Sequence, residues 1–337
     1  MSSRDRILLV NRTCLDVLED HREWLAGLDV EVTADPSWHG ITAAALDDVL
    51  KDADGVVGPS PLPLTPERME RARRLRVISL ASSGFDSVDV VAATRMGIVV
   101  TIAPVPELAE VVADLTWGLL LAVARQIPLH DKQIRAGDLR RGMAHTPWRK
   151  TLGIVGLGHI GRAVARRAVG FEMTLLATEP LPDADFVARH DIQMVTLDEL
   201  LSRSDFVSLH VRINDDTRRM IGRAELAKMP PTAFVVNTAR RELIDEDALV
   251  ERLSEGLLAG AGLDDPPARA DSPLLGMDNV VLTTHLGNRA RVGVDMVLRC
   301  AVQNAADVLA GKRCEFTVNP DVYRGTVRQP MLTRNRP

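Results

Sequence analysis

Cysteine is scarce in this chain: Cys14, Cys300 and Cys314 are the only three among 337 residues. An odd number without CxxC spacing excludes a disulfide framework and a thiolate metal site, and fits a reducing compartment. Lysine is scarce too, since Lys51, Lys132, Lys150, Lys228 and Lys312 are the only lysines among 41 basic residues and the rest are arginine. That bias is compositional and carries no mechanism by itself. Excess positive charge is missing: the formal net charge is −5 and the isoelectric point about 5.9. The electrostatic footprint that draws nucleic acid or anionic lipid is therefore absent, and a small-molecule partner is expected. The eight histidines include no HExxH or similar cluster, so no metal is expected. No apolar run approaches a membrane span, and MSSRDR runs into ILLV without a signal-like segment, so a cytoplasmic protein is expected. There is no repeat of solenoid period.

What is present is an ordinary globular balance, with 46% hydrophobic and 26% charged residues, 23 glycines and 19 prolines. The length exceeds one typical domain core, so two domains are expected. Short apolar runs at Ile7–Val10, Val30–Thr33, Gly55–Val57, Val77–Leu80 and Ile98–Val100 read as buried strands separated by helix-like stretches. This is the rhythm of a parallel βαβ sheet. Pro59–Pro66 reads as a loop, and Glu107–Arg125 as a long apolar helix framed by prolines. A second series follows at Leu152–Gly156, Met173–Ala177, Phe206–His210, Ala233–Asn237, Gly260–Asp264 and Val280–Thr283, enough for a doubly wound sheet. An amphipathic helix near Ala290–Ala310 and a tail, mobile at its end, complete the chain.

The strongest local signal is Gly156-x-Gly158-x-x-Gly161, placed where an apolar strand meets a helix. Gly156 permits a tight turn, Gly158 lets a diphosphate approach the N–H groups of the helix start, including those of His159 and Ile160, and Gly161 lets helix and strand pack closely. The next strand ends at Glu179, where a carboxylate can accept from the adenosine ribose hydroxyls and would repel a 2′-phosphate. NAD is therefore favoured over NADP, although Arg212, if it lies beside the adenosine, would weaken that preference.

Three later segments, SLHVRINDDTRRMIG, VVNTARRELIDEDALVERLSEGLLAGAGLD and NVVLTTHLGN, resemble in order and spacing those of the NAD-dependent D-isomer-specific 2-hydroxyacid dehydrogenases. The resemblance implies an α/β fold in which a Rossmann domain, 102–289, is inserted into a smaller flavodoxin-like substrate domain, 1–101 with 290–320, followed by a tail, 321–337. It implies that Arg240 holds the substrate carboxylate and polarises its carbonyl, and that His285 is the general acid in reduction. Asp264 would take the nicotinamide carboxamide, aided by Thr238 and Ala239. His210, Thr217 and Gly287 would line the cofactor site, and Ser83 and Gly84, in the Ala81–Asp86 loop, would bind the substrate carboxylate. It also implies a homodimer joined through Glu107–Arg125 and the loop after it.

The sequence departs from that pattern at one place that bears on catalysis. The family has a Glu-Pro pair five residues after the aspartate matched by Asp264, and that glutamate orients the histidine. Here the offset holds Arg269, and the stretch is about three residues shorter. Asp265 is the nearest substitute, but alternation along a strand would send Asp264 and Asp265 to opposite faces. Arg241, Arg212 and Arg289 add positive charge near the expected cleft, which raises a substrate with an extra phosphonate, phosphate or carboxylate beside the alternative of solvated arginines. Two further readings stay open: a catalytically silent NAD-binding sensor or regulator, and a dehydrogenase of the phosphite or formate kind.

Overall fold

The computed structural model describes residues 4–10, 19–34, 43–58, 62, 64–85, 87–325, 327 and 328. Cys14, Asp86, part of the Pro59–Pro66 loop and the end of the tail lie outside them. The chain divides into two compact units, one formed by 1–105 with 289–337 and the other by 106–288, so the second is inserted into the first.

The first unit is built on β1 (Asp5–Leu9), β2 (Val30–Ala34), β3 (Gly55–Gly58), β4 (Val77–Leu80) and β5 (Val99–Ile102). All neighbours are parallel, in the order β2-β1-β3-β4-β5, which is the flavodoxin-like arrangement. β3 and β4 are buried along their whole length, which explains why they are apolar apart from Ser79. The chain returns to this sheet late, through the helix Arg291–Leu309, where Ser79 donates to the Ala301 carbonyl at 2.8 Å and Asn304 to that of Ile102 at 2.9 Å. Val322 is buried, and Arg328 donates to the Ala72 carbonyl at 2.7 Å.

The second unit holds β6 (Thr151–Val155), β7 (Thr174–Thr178), β8 (Gln193–Met194), β9 (Phe206–Leu209), β10 (Phe234–Asn237), β11 (Gly260–Leu263) and β12 (Val280–Leu282). Its order, β12-β11-β10-β9-β6-β7-β8, is parallel throughout and is the doubly wound Rossmann order with one added strand. The order reverses beside β6, which pairs with both β7 and β9, and ligands bind at the carboxyl ends of strands at such a switch point. The two-residue β8 is absent from the apolar runs because it is too short and too polar to form one.

Two helices of this unit matter below. Helix α1 (Leu108–Ala124) covers β10 and β11, and α2 (His159–Ala168) follows β6. Small residues let α1 approach: a Cβ on Gly262 would lie 3.0 Å from Leu119 Cβ, and one on Gly260 would lie 2.8 Å from Val123 Cγ2. Trp117 of α1 donates its Nε1–H to the Val164 carbonyl of α2 at 3.2 Å and stacks on Phe171 with centroids 4.5 Å apart. Among the described residues no helix is long and apolar enough to cross a membrane.

Candidate active site

The glycine loop joins β6 to α2 at the switch point. Gly156 has φ +94°, and a Cβ there would meet the His210 carbonyl group at 2.9 Å, so both the backbone and the space require glycine. A Cβ on Gly161 would stand 2.1 Å from the Gly156 carbonyl oxygen. Gly158 differs, because a Cβ there would meet nothing within 4 Å and would project into open space at the first turn of α2. The N–H groups of a first helical turn lack intrahelical acceptors, so a diphosphate fits against His159 and Ile160. The strand next door, β7, ends at Thr178, one residue before Glu179, whose Oε2 accepts the Leu157 N–H at 3.0 Å and whose Oε1 accepts the Leu181 N–H at 3.3 Å. Each oxygen keeps a lone pair for a ribose hydroxyl. These residues fit a dinucleotide.

The second cluster sits beyond β11 and β12. Asp264 is buried, at 3% exposure, and its carboxylate grips the turn after β12. Oδ1 accepts Thr283 Oγ1–H at 2.6 Å and the Leu286 N–H at 2.7 Å, while Oδ2 accepts the Gly287 N–H at 2.8 Å. Inside that turn His285 has φ +60°, a left-handed conformation costly for a residue with a side chain and kept only where its surroundings over-determine it. The imidazole Nδ1 lies 2.7 Å from Asp265 Oδ1. Its side chain is 43% exposed, and Nε2 has no partner among the described residues.

Strand alternation does not govern Asp264 and Asp265, because β11 ends at Leu263. Past the strand both carboxylates turn to the same loop, one to its main chain and one to the ring.

Arg240 follows β10. Asn237 shapes this turn, donating its Nδ2–H to the Arg240 carbonyl at 2.8 Å and accepting the Ala239 N–H at 3.0 Å. Thr238 is buried, with its hydroxyl 2.8 Å from that of Thr116 on α1. The Arg240 guanidinium folds back to donate to the Ala239 carbonyl at 2.8 Å, and Arg241 N–H donates to Asp265 Oδ2 at 2.9 Å. The Arg240 turn and His285 thus meet at one carboxylate.

The other expected residues sit as follows. His210 follows β9 with its ring turned to Ser208 Oγ, 2.8 Å from Nε2, while its main chain faces Gly156. Its Nδ1 is buried without a partner among the described residues, and burial pushes its pKa down to about 3, so this imidazole is neutral. Thr217 closes its own loop, donating Oγ1–H to the Arg212 carbonyl at 2.6 Å. In the first unit, Ser83 and Gly84 lie in the turn after β4, where Ser82 Oγ donates to the Gly84 carbonyl at 2.7 Å. Among the described residues no group of three or more His, Cys, Asp or Glu side chains is placed to hold a metal.

With this geometry in view, residues 117–287 match the family described as D-isomer specific 2-hydroxyacid dehydrogenase, NAD binding domain. The chain belongs to that family. It is 39% identical over 293 residues to a glyoxylate reductase of Korarchaeum cryptofilum, covering 83% of this chain and 86% of that one. It is 38% identical over 304 residues to a D-3-phosphoglycerate dehydrogenase of Methanocaldococcus jannaschii, covering 87% of this chain and 57% of that protein. A crystal structure of a Thermus thermophilus protein, 34% identical, superposes with a TM-score of 0.81 over 93% of this chain and 99% of the other. This dehydrogenase is an NAD-dependent oxidoreductase.

Sequence reasoning passed over three residues of the dehydrogenase that shape the cluster. Asn237 was visible only as a strand end, and Thr116 only as one polar position in an apolar helix. Glu246 starts the helix Glu246–Ser254 and accepts the Ala268 N–H at 2.7 Å and Ser272 Oγ–H at 2.6 Å, which holds the shortened stretch after Asp265. Glutamate in a first helical turn ordinarily reads as dipole complementation, so its type alone does not disclose this contact.

Proposed function

We propose that this dehydrogenase reduces a 2-keto acid to the D-2-hydroxy acid, with Arg240 and His285 as its catalytic residues. The observation that carries the reading is the turn after β12: Asp264 fastens the Leu286 and Gly287 main chain after His285 and the Thr283 hydroxyl before it, and the imidazole Nε2 has no partner among the described residues. A fixed ring with a free nitrogen is what proton delivery to a developing alkoxide needs. Arg240 would hold the carboxylate and polarise the carbonyl, a task suited to a planar, permanently charged fork. Ser83 and Gly84 are the proposed second hold on the substrate carboxylate.

NADH, held by Gly156, Gly158, His159, Ile160, Gly161 and Glu179, supplies the hydride. Asp264, Thr238, Ala239 and Gly287 are the proposed contacts of its nicotinamide end, where Asp264 Oδ2 accepts the Gly287 N–H and keeps a further lone pair. His210 and Thr217 shape the groove through their main chain and loop. Arg241, exposed and 3.5 Å from Glu242, is the cation next to Arg240 that would favour a second anionic group on the substrate. A homodimer is proposed through α1 and the segment after it, where Ile127, Ile134, Leu139, Met143 and Trp148 are between 52% and 94% exposed.

The test is consumption of NADH with a panel of 2-keto acids including phosphono and dicarboxylic members. Oxidation with any of them supports the dehydrogenase reading, and preference for a plain monocarboxylate removes the second-anion proposal. Binding of NADH without consumption by any member favours the regulatory reading.

A further inference from the structure

We infer that Asp265 is a two-armed positioning residue, one carboxylate oxygen fixing the imidazole of His285 and the other fixing the main chain beside Arg240. The inference rests on the roles proposed for those two residues. Oδ1 lies 2.7 Å from His285 Nδ1, and Oδ2 accepts the Arg241 N–H at 2.9 Å. A carboxylate only accepts, so Nδ1 carries a hydrogen and Nε2 is the nitrogen that takes up and releases the working proton.

The arrangement is built rather than incidental. Asp265 has 18% of its side chain exposed, and burial pushes its carboxyl up. The hydrogen bond and charge of His285, the Arg241 N–H and the charge of Arg240 outweigh that, leaving it below the ordinary carboxylate value. It is therefore ionised wherever the enzyme works. Pro266 follows directly, which restricts Asp265 to extended backbone, and Pro267 stiffens the next step. Glu246 then holds Ala268 and Ser272. The shortened stretch thus leaves its first residue, Asp265, at the ring.

The charged groups around the pair are accounted for. Asp264 is engaged on the Leu286 and Gly287 main chain, Arg241 pairs with Glu242, and Glu246 is engaged on its own loop. Arg240 acts on Asp265 by charge. Asp265 is thus the carboxylate in hydrogen-bond contact with the ring, and it joins the carbonyl-polarising segment to the proton donor.

The two arms separate by mutation. Asp265→Asn removes the charge but keeps an acceptor for the Arg241 N–H, whereas Asp265→Ala removes both. In each variant the ring loses the acceptor that keeps its hydrogen on Nδ1, so the ring-nitrogen NMR signals of neutral His285 change from the Nδ1–H to the Nε2–H pattern, and kcat for keto-acid reduction falls by roughly tenfold or more. Asp265→Glu restores the Nδ1–H pattern. Only Asp265→Ala also raises KM for the keto acid, by roughly tenfold, because the Arg240 turn loses its acceptor.

A ring that keeps the Nδ1–H pattern in Asp265→Asn overturns the first arm, and an unchanged KM in Asp265→Ala overturns the second. NADH binding and melting show that each variant is folded. Because the NMR measurement needs no turnover, failure of every keto acid to react would refute the proposed reaction and leave this inference to be judged by the ring signals.

Discussion

Replacing Asp264 by alanine tests the claim that one buried carboxylate holds His285 in an unfavourable backbone conformation. The variant strands three donors: Thr283 Oγ–H, Leu286 N–H and Gly287 N–H. Thr283 and Leu286 are partly or largely exposed and can turn to water, but Gly287 is buried, so its N–H bears the full cost of an unmet donor, about 1–3 kcal/mol. Loss of the two charge-assisted bonds to the exposed donors adds roughly 1 kcal/mol each after water replaces the carboxylate. The expected destabilisation is then about 3–5 kcal/mol, which for a unit of this size lowers its melting temperature by roughly 6–20 °C. Without the grip, the left-handed geometry of His285 relaxes, which releases about 1–2 kcal/mol and displaces the ring. Thermal melting with hydrogen exchange at Leu286 and Gly287 reads both effects. Exchange at those two amides should accelerate most, and reduction should fall by at least about a hundredfold. A variant within about 0.5 kcal/mol of wild type with unchanged exchange at those amides would refute the reasoning.

Gly161→Ala places a methyl 2.1 Å from the Gly156 carbonyl oxygen, and main chain cannot yield as a side chain does. The expected result is a loss of about 3 kcal/mol or more in stability together with weakened NADH binding, read by melting and fluorescence titration. Glu179→Ala should reduce NADH affinity by roughly tenfold and narrow the preference over NADPH, measured as the ratio of the two dissociation constants. The pH dependence of stability should carry the mark of His210. Its folded value, about 3, lies below the unfolded value near 6.5, so the unfolded chain alone takes up the proton between them. Stability should therefore fall as pH drops below about 6.5, at up to about 1.4 kcal/mol per unit, and His210→Gln should flatten that slope in melts between pH 4 and 7.

Strands that are buried on both faces must be largely apolar on both, and this is why β3, β4 and the buried Ile7–Leu9 end of β1 are readable as short apolar runs. The short β8 carries one polar and one apolar residue and depends on its pairing with Leu176 and Ala177, which no local pattern encodes. The glycine loop was legible because a steric demand restricts residue type at Gly156 and Gly161, while Gly158 keeps open the space a diphosphate would take. The carboxylates were harder. The resemblance assigns Asp264 to the cofactor, and nothing in the sequence discloses that its carboxylate also holds the turn around His285, nineteen or more residues away. Asp265 was discounted by extending strand alternation one step too far, past Leu263. Where a strand ends decides which way the next side chain points, and strand ends are set by pairing rather than by composition. Glu246 and Asn237 act on main chain brought close by the fold, and such contacts leave no trace in spacing.

The central claim is that Arg240 and His285 act together on a 2-keto acid. The most direct measurement is kcat/KM for NADH-dependent reduction in wild type, Arg240→Ala and His285→Ala, with NADH affinity measured in parallel. The account predicts losses of roughly 10²–10⁴ in each variant while NADH binds as before. Reduction that persists within about threefold of wild type in either variant would contradict it.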